Sequence, residues 1–275
     1  MPSLAELPDY AKKHGPWSIS KLGVIEQCSL RFDYKYGEDK IKEESVFEES
    51  QVGVVVHRAL ELALGHFPVK HAFKQALEET PLMSDQRDTV MTFYDQVERF
   101  VKTFASYRAH WGVKNDQNSV MIERKWGLDA NFKDCGFFDN TKVIFRGVVD
   151  YALLTAKNNL VIVDHKTGKV RDLSYYDTQF KAYCLLALAK NPSLTAVQTG
   201  IHFVMHDKME WAPKVITAEQ IRDEYQPWLV AYITKACDGL REPPKPTKQK
   251  LCDWCGYKSI CPAHGGAGRG ATKEE

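Results

Sequence analysis

No stretch of the 275 residues approaches the ~18 consecutive apolar residues of a membrane-spanning helix, so no membrane partner is expected. No internal repeat recurs, which excludes solenoid and propeller architectures. A G-x-x-x-x-G-K-[ST] phosphate loop is absent, and with it any sign of an ATP-driven motor. An excess of one charge is also missing: 37 Lys and Arg against 36 Asp and Glu leave a formal +1. The cations are spread along the chain instead of gathered into the dense stripe of a duplex-wrapping protein. That sum does not exclude nucleic acid, because an acidic metal site and a basic groove would cancel in it. Seven cysteines with no signal peptide in front of them indicate a reducing, cytoplasmic setting. At this length the chain can bury a large core, and one large globular unit is expected from a prior of one to two domains.

What is present begins with two acids. Asp150 lies in the apolar run 143–154, while Asp164 ends the run 160–163 and opens Asp164-His165-Lys166. If 155–159 turns a hairpin centred on Lys157, Asp150 and Asp164 fall opposite each other, since both are equally far from that centre. Cross-strand neighbours lie about 4.5–5.5 Å apart at Cβ, and like charges so placed need compensation. Alternation along the strand puts Lys166 on the Asp164 face and His165 on the other. Two acids and an ammonium at the end of buried strands suit phosphodiester hydrolysis. In that reading the acids would hold a hard cation such as Mg2+, the cation would activate a water, and Lys166 would hold that water or meet the charge growing on phosphate. A metal-free Asp–Lys–Asp ion cluster is the alternative.

The second feature is Cys252-Asp-Trp-Cys255 followed by Cys261, a C-x2-C-x5-C pattern, with Cys28 far upstream. Four thiolates suit one iron-sulfur cluster. Zinc is the competing reading, with either Cys28 or His264 as fourth ligand. Cys135, Cys184 and Cys237 stand in apolar surroundings and read as small core residues.

Taken together, these motifs resemble the PD-(D/E)XK nuclease superfamily, which has an acid on one strand and D/E-x-K on the next, as in Asp150 and Asp164-His165-Lys166. The RecB-like branch adds G-x-x-x-H upstream, matched by Gly53-Val-Val-Val-His57, and Q-x-x-x-Y downstream, matched by Gln179-Phe-Lys-Ala-Tyr183. Its iron-sulfur members, among them the AddB nuclease domain and the Cas-four exonucleases of CRISPR adaptation, carry one upstream cysteine and a downstream C-x2-C-x5-C. All the elements occur here in family order, from residue 28 to 261. The resemblance implies a restriction-endonuclease-like α/β core, a mixed sheet flanked by helices. It implies Asp150, Asp164, His57 and the His165 backbone carbonyl as metal ligands, Lys166 as catalytic lysine, and Gln179 and Tyr183 lining the groove. It further implies a 4Fe-4S cluster on Cys28, Cys252, Cys255 and Cys261, and DNA as substrate, often single-stranded or at ends, cut exonucleolytically. Partners would be proteins of recombination or CRISPR adaptation. The alternative from a different class is an iron-sulfur DNA-binding or assembly subunit that does not cut.

Local readings complete the picture. His57 sits in a dense apolar stretch that reads as a buried helix, and a neutral imidazole there suits Mn2+ better than Mg2+. Gln179 and Tyr183, four apart, share a helical face, with Ser174 expected as the cap of their helix. Glu123, in the strand-like run 120–126, is a candidate further acid, with a solvated strand residue as the preferred reading. Tyr175, Tyr176 and Tyr183 are aromatics near the site on which the bases of a single strand could stack, with Tyr175 and Tyr176 as packing residues at a helix start the alternative. Helices are expected near 18–28, over 52–66, 68–80 and 174–190, as one long segment 85–111, and over 217–238 from Thr217. The stripe from Phe93 to Tyr107 reads as core. The expected division is a helical region 18–115, a nuclease core 116–240, and a cysteine clasp 241–264 returning to Cys28 along the extended Pro243-Pro244-Lys245-Pro246 arm, with a disordered tail 265–275.

Overall fold

The computed structural model describes residues 3–43, 48–113 and 119–268. Helices α1 (Asp9–Lys13), α2 (Ile19–Gln27) and α3 (Ser29–Tyr36) open the chain. Ser18 Oγ caps α2 by accepting from the Lys21 N–H at 3.2 Å. Cys28 ends α2 and caps α3, its sulfur accepting from the Arg31 N–H at 3.5 Å. Next come α4 (Glu48–Leu64) and α5 (Val69–Glu79), and then α6 (Ser84–Met91) and α7 (Tyr94–His110). The single helix expected over 85–111 is therefore two. The Thr92 and Phe93 N–H groups bond three residues back, to Thr89 O at 3.2 Å and Val90 O at 3.1 Å, and these tight turns separate the two helices. Both Val90 and Phe93 enter the core there.

The remaining elements are β1 (Val120–Leu128), β2 (Asp134–Cys135), β3 (Phe145–Leu154), β4 (Asn159–Lys166), α8 (Asp177–Lys190), β5 (Ala196–Phe203), β6 (Lys208–Trp211) and β7 (Ile216–Thr217). Last, α9 (Ala218–Gln220) runs through one π turn into α10 (Gln226–Cys237), and Thr217 and Gln220 form the capping box at its start. The sheet runs β2-β1-β3-β4-β5-β6, with β7 also on β5; β4 and β5 are parallel and the other pairs antiparallel. This is the mixed α/β sheet that the motifs implied. One face packs on α8, α10 and α2 through Val149, Ala152, Leu160 and Ile162; the other packs on α4–α7 through Tyr151, Leu153, Val161 and Val163. The Phe93, Val97, Phe100 and Phe104 stripe is core on that second face, as expected.

The β3–β4 hairpin is centred on Lys157, pairing Tyr151 with Val163 and Leu154 with Leu160. Pairing stops at Tyr151–Val163. Beyond it β4 keeps β5 as far as Lys166–Phe203, while β3 takes a different neighbour: Trp17 N–H donates to Ile144 O and Arg146 N–H to Trp17 O, both at 2.8 Å. The two strands thus fork where Asp150 faces Asp164.

At the far end of the chain, residues 245–249 lie along the start of α3. Leu30 N–H donates to Lys245 O (3.2 Å), Lys245 N–H to Ser29 Oγ (3.0 Å) and Gln249 Nε2 to Gln27 O (2.9 Å). Residues 265–268 are ordered, with Gly266 and Gly268 N–H groups returning to Cys261 O and Ile260 O at 3.0 Å. The rest of the expected tail, 269–275, lies outside the described residues, as do residues 114–118, within which the expected 115/116 boundary falls.

Candidate active site

Asp150 occupies the fork. Its Oδ2 accepts the His165 main-chain N–H at 2.8 Å, so a carboxylate takes the donor released by the parted strands. His57 Nδ1, on α4, lies 3.6 Å from the same oxygen. The glycine of Gly53-x-x-x-His57 has a steric reason: a Cβ there would stand 3.1 Å from Thr167 Oγ1, so glycine lets α4 press against the loop leaving Lys166.

Glu123 completes the cluster, and the sequence reading of it as solvated is corrected. It is half-buried, and its ligand oxygen lies with those of His57 and Asp150 in one group, all within 4.8 Å of one another. On β1, Ile122 pairs with Tyr151 and Arg124 with Val149, so Glu123 lies across from Asp150, unpaired between them. Its φ is +48°, a left-handed backbone uncommon for a side-chain-bearing residue. Met121 and Trp126 pack on the same face, five residues apart, so the strand's alternation slips at this point. That slip was the legible signal for Glu123.

Asp164 is buried on the α8 side. Its Oδ1 accepts from Gln179 Nε2 at 2.7 Å and Tyr183 Oη at 2.6 Å, and Lys166 Nζ meets Oδ2 at 2.5 Å. The Gln179–Tyr183 pair thus reaches the site as one helical face. Ser174 is not the cap: Asp172 Oδ1 accepts from Ser174 N–H at 2.9 Å and opens a short 3-10 turn before α8. The His165 ring points away, as alternation requires. It shares an Nδ1–Nδ1 hydrogen bond of 3.0 Å with His202, on whose ring Phe100 stacks at 4.0 Å. The two tyrosines divide: Tyr176 is buried under Lys166, while Tyr175 is exposed, its ring faced by the Arg171 guanidinium at 4.3 Å.

Burial, then the Asp164 charge, pushes the Asp150 carboxyl well above the usual range. Burial, helped by Glu61 and Asp164, takes Glu123 to about 7. Burial pulls Lys166 down, but Asp164 and Asp150 outweigh it, so the side chain remains an ammonium. Burial lowers His57, leaving a neutral imidazole able to ligate. Two protonatable acids and a neutral imidazole, converging where negative charge accumulates, fit a divalent cation, whose charge would reverse the shifts of the acids.

Cys28, Cys252, Cys255 and Cys261 line one small cavity with Arg31, Lys258 and His264. Main-chain N–H groups point at two sulfurs: Arg31 (3.5 Å) and Thr247 (3.4 Å) at Cys28, and Gln249 (3.3 Å) at Cys252. Among the described residues the sulfurs do not form a group within 4.8 Å, as His57, Glu123 and Asp150 do. Zinc at about 2.3 Å from each sulfur would need them about 3.8 Å apart, so this set is not closed around one ion. Cys184 and Cys237 are core, whereas Cys135 is half-buried on the edge strand.

The mixed sheet and the His57–Glu123–Asp150 group, whose ligand atoms could hold one metal ion, define the candidate site. The family model for the PD-(D/E)XK nuclease superfamily matches residues 16–262, and the chain belongs to that superfamily. A search of curated proteins finds no match. Among solved structures the chain is similar to an exonuclease candidate from Eubacterium rectale (15% identity, 89% of this chain and 88% of that one, TM-score 0.47). It is also similar to the protein SSO0001 (14% identity, 86% and 95%, TM-score 0.36). At these scores neither bears on the assignment. No helix among the described residues is long and apolar enough to cross a membrane.

Glu123 yields a prediction for metal-free protein. Its folded pKa lies above its unfolded one, so its contribution to stability is complete below about pH 4.5 and is lost as pH rises through about 7. Wild type should therefore lose thermal stability relative to Glu123→Gln between about pH 5 and about pH 8, and Mn2+ should restore it. Parallel melting profiles for the two proteins would contradict the assignment.

Proposed function

We infer that the protein is a metal-dependent deoxyribonuclease of the RecB-like iron-sulfur branch, acting as an exonuclease on single-stranded DNA or DNA ends in recombination, repair or CRISPR adaptation. The observation that carries this reading is the convergence of His57, Glu123 and Asp150 beside the Asp164–Lys166 pair. A divalent cation bound there supplies Lewis acidity and a water of lowered pKa. Asp150 and Glu123 bring the charge that holds it, with neutral His57 and the His165 carbonyl as further donors and Asp164 at its edge. Lys166 stands as an ammonium where it can orient the attacking water and meet charge on the phosphate. Gln179 and Tyr183 hold one oxygen of Asp164, leaving the other for Lys166. Mg2+ and Mn2+ both suit the carboxylates, and the imidazole favours Mn2+.

Single strands and ends are favoured by Tyr175, an exposed ring with a guanidinium on its face at the end of the loop that follows Lys166. A 4Fe-4S cluster on Cys28, Cys252, Cys255 and Cys261 is supported by their shared cavity and by N–H groups aimed at sulfur, the environment that stabilises thiolate. Its role in this reading is to fasten the two chain ends, which closes a very long loop.

Asp150→Ala, Asp164→Ala and Lys166→Ala should each abolish cleavage in folded protein, with Lys166→Ala still binding Mn2+; near wild-type activity in Asp164→Ala would sink the assignment. Linear single-stranded DNA should be lost faster than blunt duplex, and a closed single-stranded circle should persist. Faster loss of duplex refutes the strand preference, and equal loss of the circle refutes the need for an end.

For the cluster, anaerobically purified protein should be brown, with a broad absorption near roughly 400 nm. Cys28→Ser should remove the colour. Colourless protein with stoichiometric zinc, or a fully loaded Cys28→Ser variant, would overturn the ligand set.

A further inference from the structure

The loop between β2 and β3 carries two phenylalanines that the proposed reaction does not use. Phe138 is 70% exposed, the highest value among the large apolar side chains described, so it has no core role. Phe137 meets it edge-on at 4.9 Å. The loop is a built turn: Asp139 Oδ1 accepts from the Thr141 N–H (3.1 Å) and hydroxyl (2.6 Å), and Arg146 Nη1 donates to Phe137 O at 3.2 Å. Phe138 is thereby held out into solvent. Each ring also carries a cation, Lys125 Nζ at 5.4 Å from the Phe138 centroid and the Arg146 guanidinium at 4.7 Å from Phe137.

Topology puts this loop at the end of the sheet toward which the acids lie. β3 starts at Phe145, about 16 Å from Asp150 at the usual rise per residue, and the antiparallel β4 reaches the same sheet end at Lys166. Lys125 lies two residues past Glu123 on β1, and its charge acts on that carboxyl. Across the sheet, on the β4 side, stands the Arg171–Tyr175 pair. Two aromatic rings, each faced by a cation, therefore flank the acids along the sheet order, one on the β1 side and one beyond β4.

We propose that Phe138 is a base-stacking platform for the substrate strand, which crosses the acids with one unpaired base on Phe138 and another on Tyr175. The inference rests on the nuclease reading and extends it to a second contact surface. A flat base suits an exposed ring, while Lys125 and Arg146 supply the positive charge its phosphates need.

The test is fluorescence anisotropy of labelled oligothymidylate, and of a strand of the same length made of abasic residues, in Ca2+. Wild type, Phe138→Ala and Phe138→Trp are compared, each checked for an unchanged melting temperature. Phe138→Ala should bind oligothymidylate roughly tenfold more weakly, the size of one lost stack, and Phe138→Trp should retain affinity. The abasic strand should bind wild type and Phe138→Ala alike. Equal affinity of wild type and Phe138→Ala for oligothymidylate would overturn the proposal, as would equal loss on both strands. Wild-type protein that binds oligothymidylate but hydrolyses no DNA would remove the nuclease reading and leave the platform standing.

Discussion

The hydrogen bond from the His165 main chain to the Asp150 carboxylate is the contact on which the site depends. In an unbroken hairpin the β3–β4 ladder would continue past Tyr151 and Val163. Here it stops, and a side-chain oxygen replaces the next main-chain acceptor. A buried main-chain donor left alone would cost about 1–3 kcal/mol, so the carboxylate stabilises the fork while the fork fixes the carboxylate. Three acids on three adjacent strands follow from this: Glu123 on β1, Asp150 on β3 and Asp164 on β4.

Placed in low dielectric, such acids are unfavourable unless protonated or neutralised. The protein neutralises only one of them. Asp164 has Lys166 on one oxygen and two donors on the other. Among the described residues no lysine or arginine forms an ion pair with Asp150 or Glu123, the Lys166 and Lys125 charges act only from farther off, and burial raises both acids. His57, held neutral, adds a lone pair and no charge. Metal-free, the arrangement carries this electrostatic cost, which a bound cation would relieve.

Much of this is legible in the amino-acid sequence. The symmetric spacing about Lys157 located the facing acids, and strand alternation separated Lys166 from His165. Helical spacing joined Gln179 to Tyr183. Features that depend on contact between distant segments were not legible. Glu123 reaches the site through a left-handed residue inside a strand, which leaves only a slip in the apolar alternation of 120–128. The break at Thr92–Phe93 is invisible to periodicity because Val90 and Phe93 suit one helical face equally well. The His165–His202 pair joins two strands whose adjacency only the sheet order reveals, and Phe138 is an ordinary loop residue until its exposure and its lysine are seen.

The central claim is that His57, Glu123 and Asp150 hold a divalent ion next to Lys166. Crystals soaked in Mn2+ and measured at the manganese absorption edge test it most directly. The account predicts an anomalous peak within bonding distance of a Glu123 oxygen, an Asp150 oxygen and a His57 nitrogen, and its loss in Asp150→Ala. Manganese located elsewhere in wild-type protein, with these three side chains left unliganded, would contradict it.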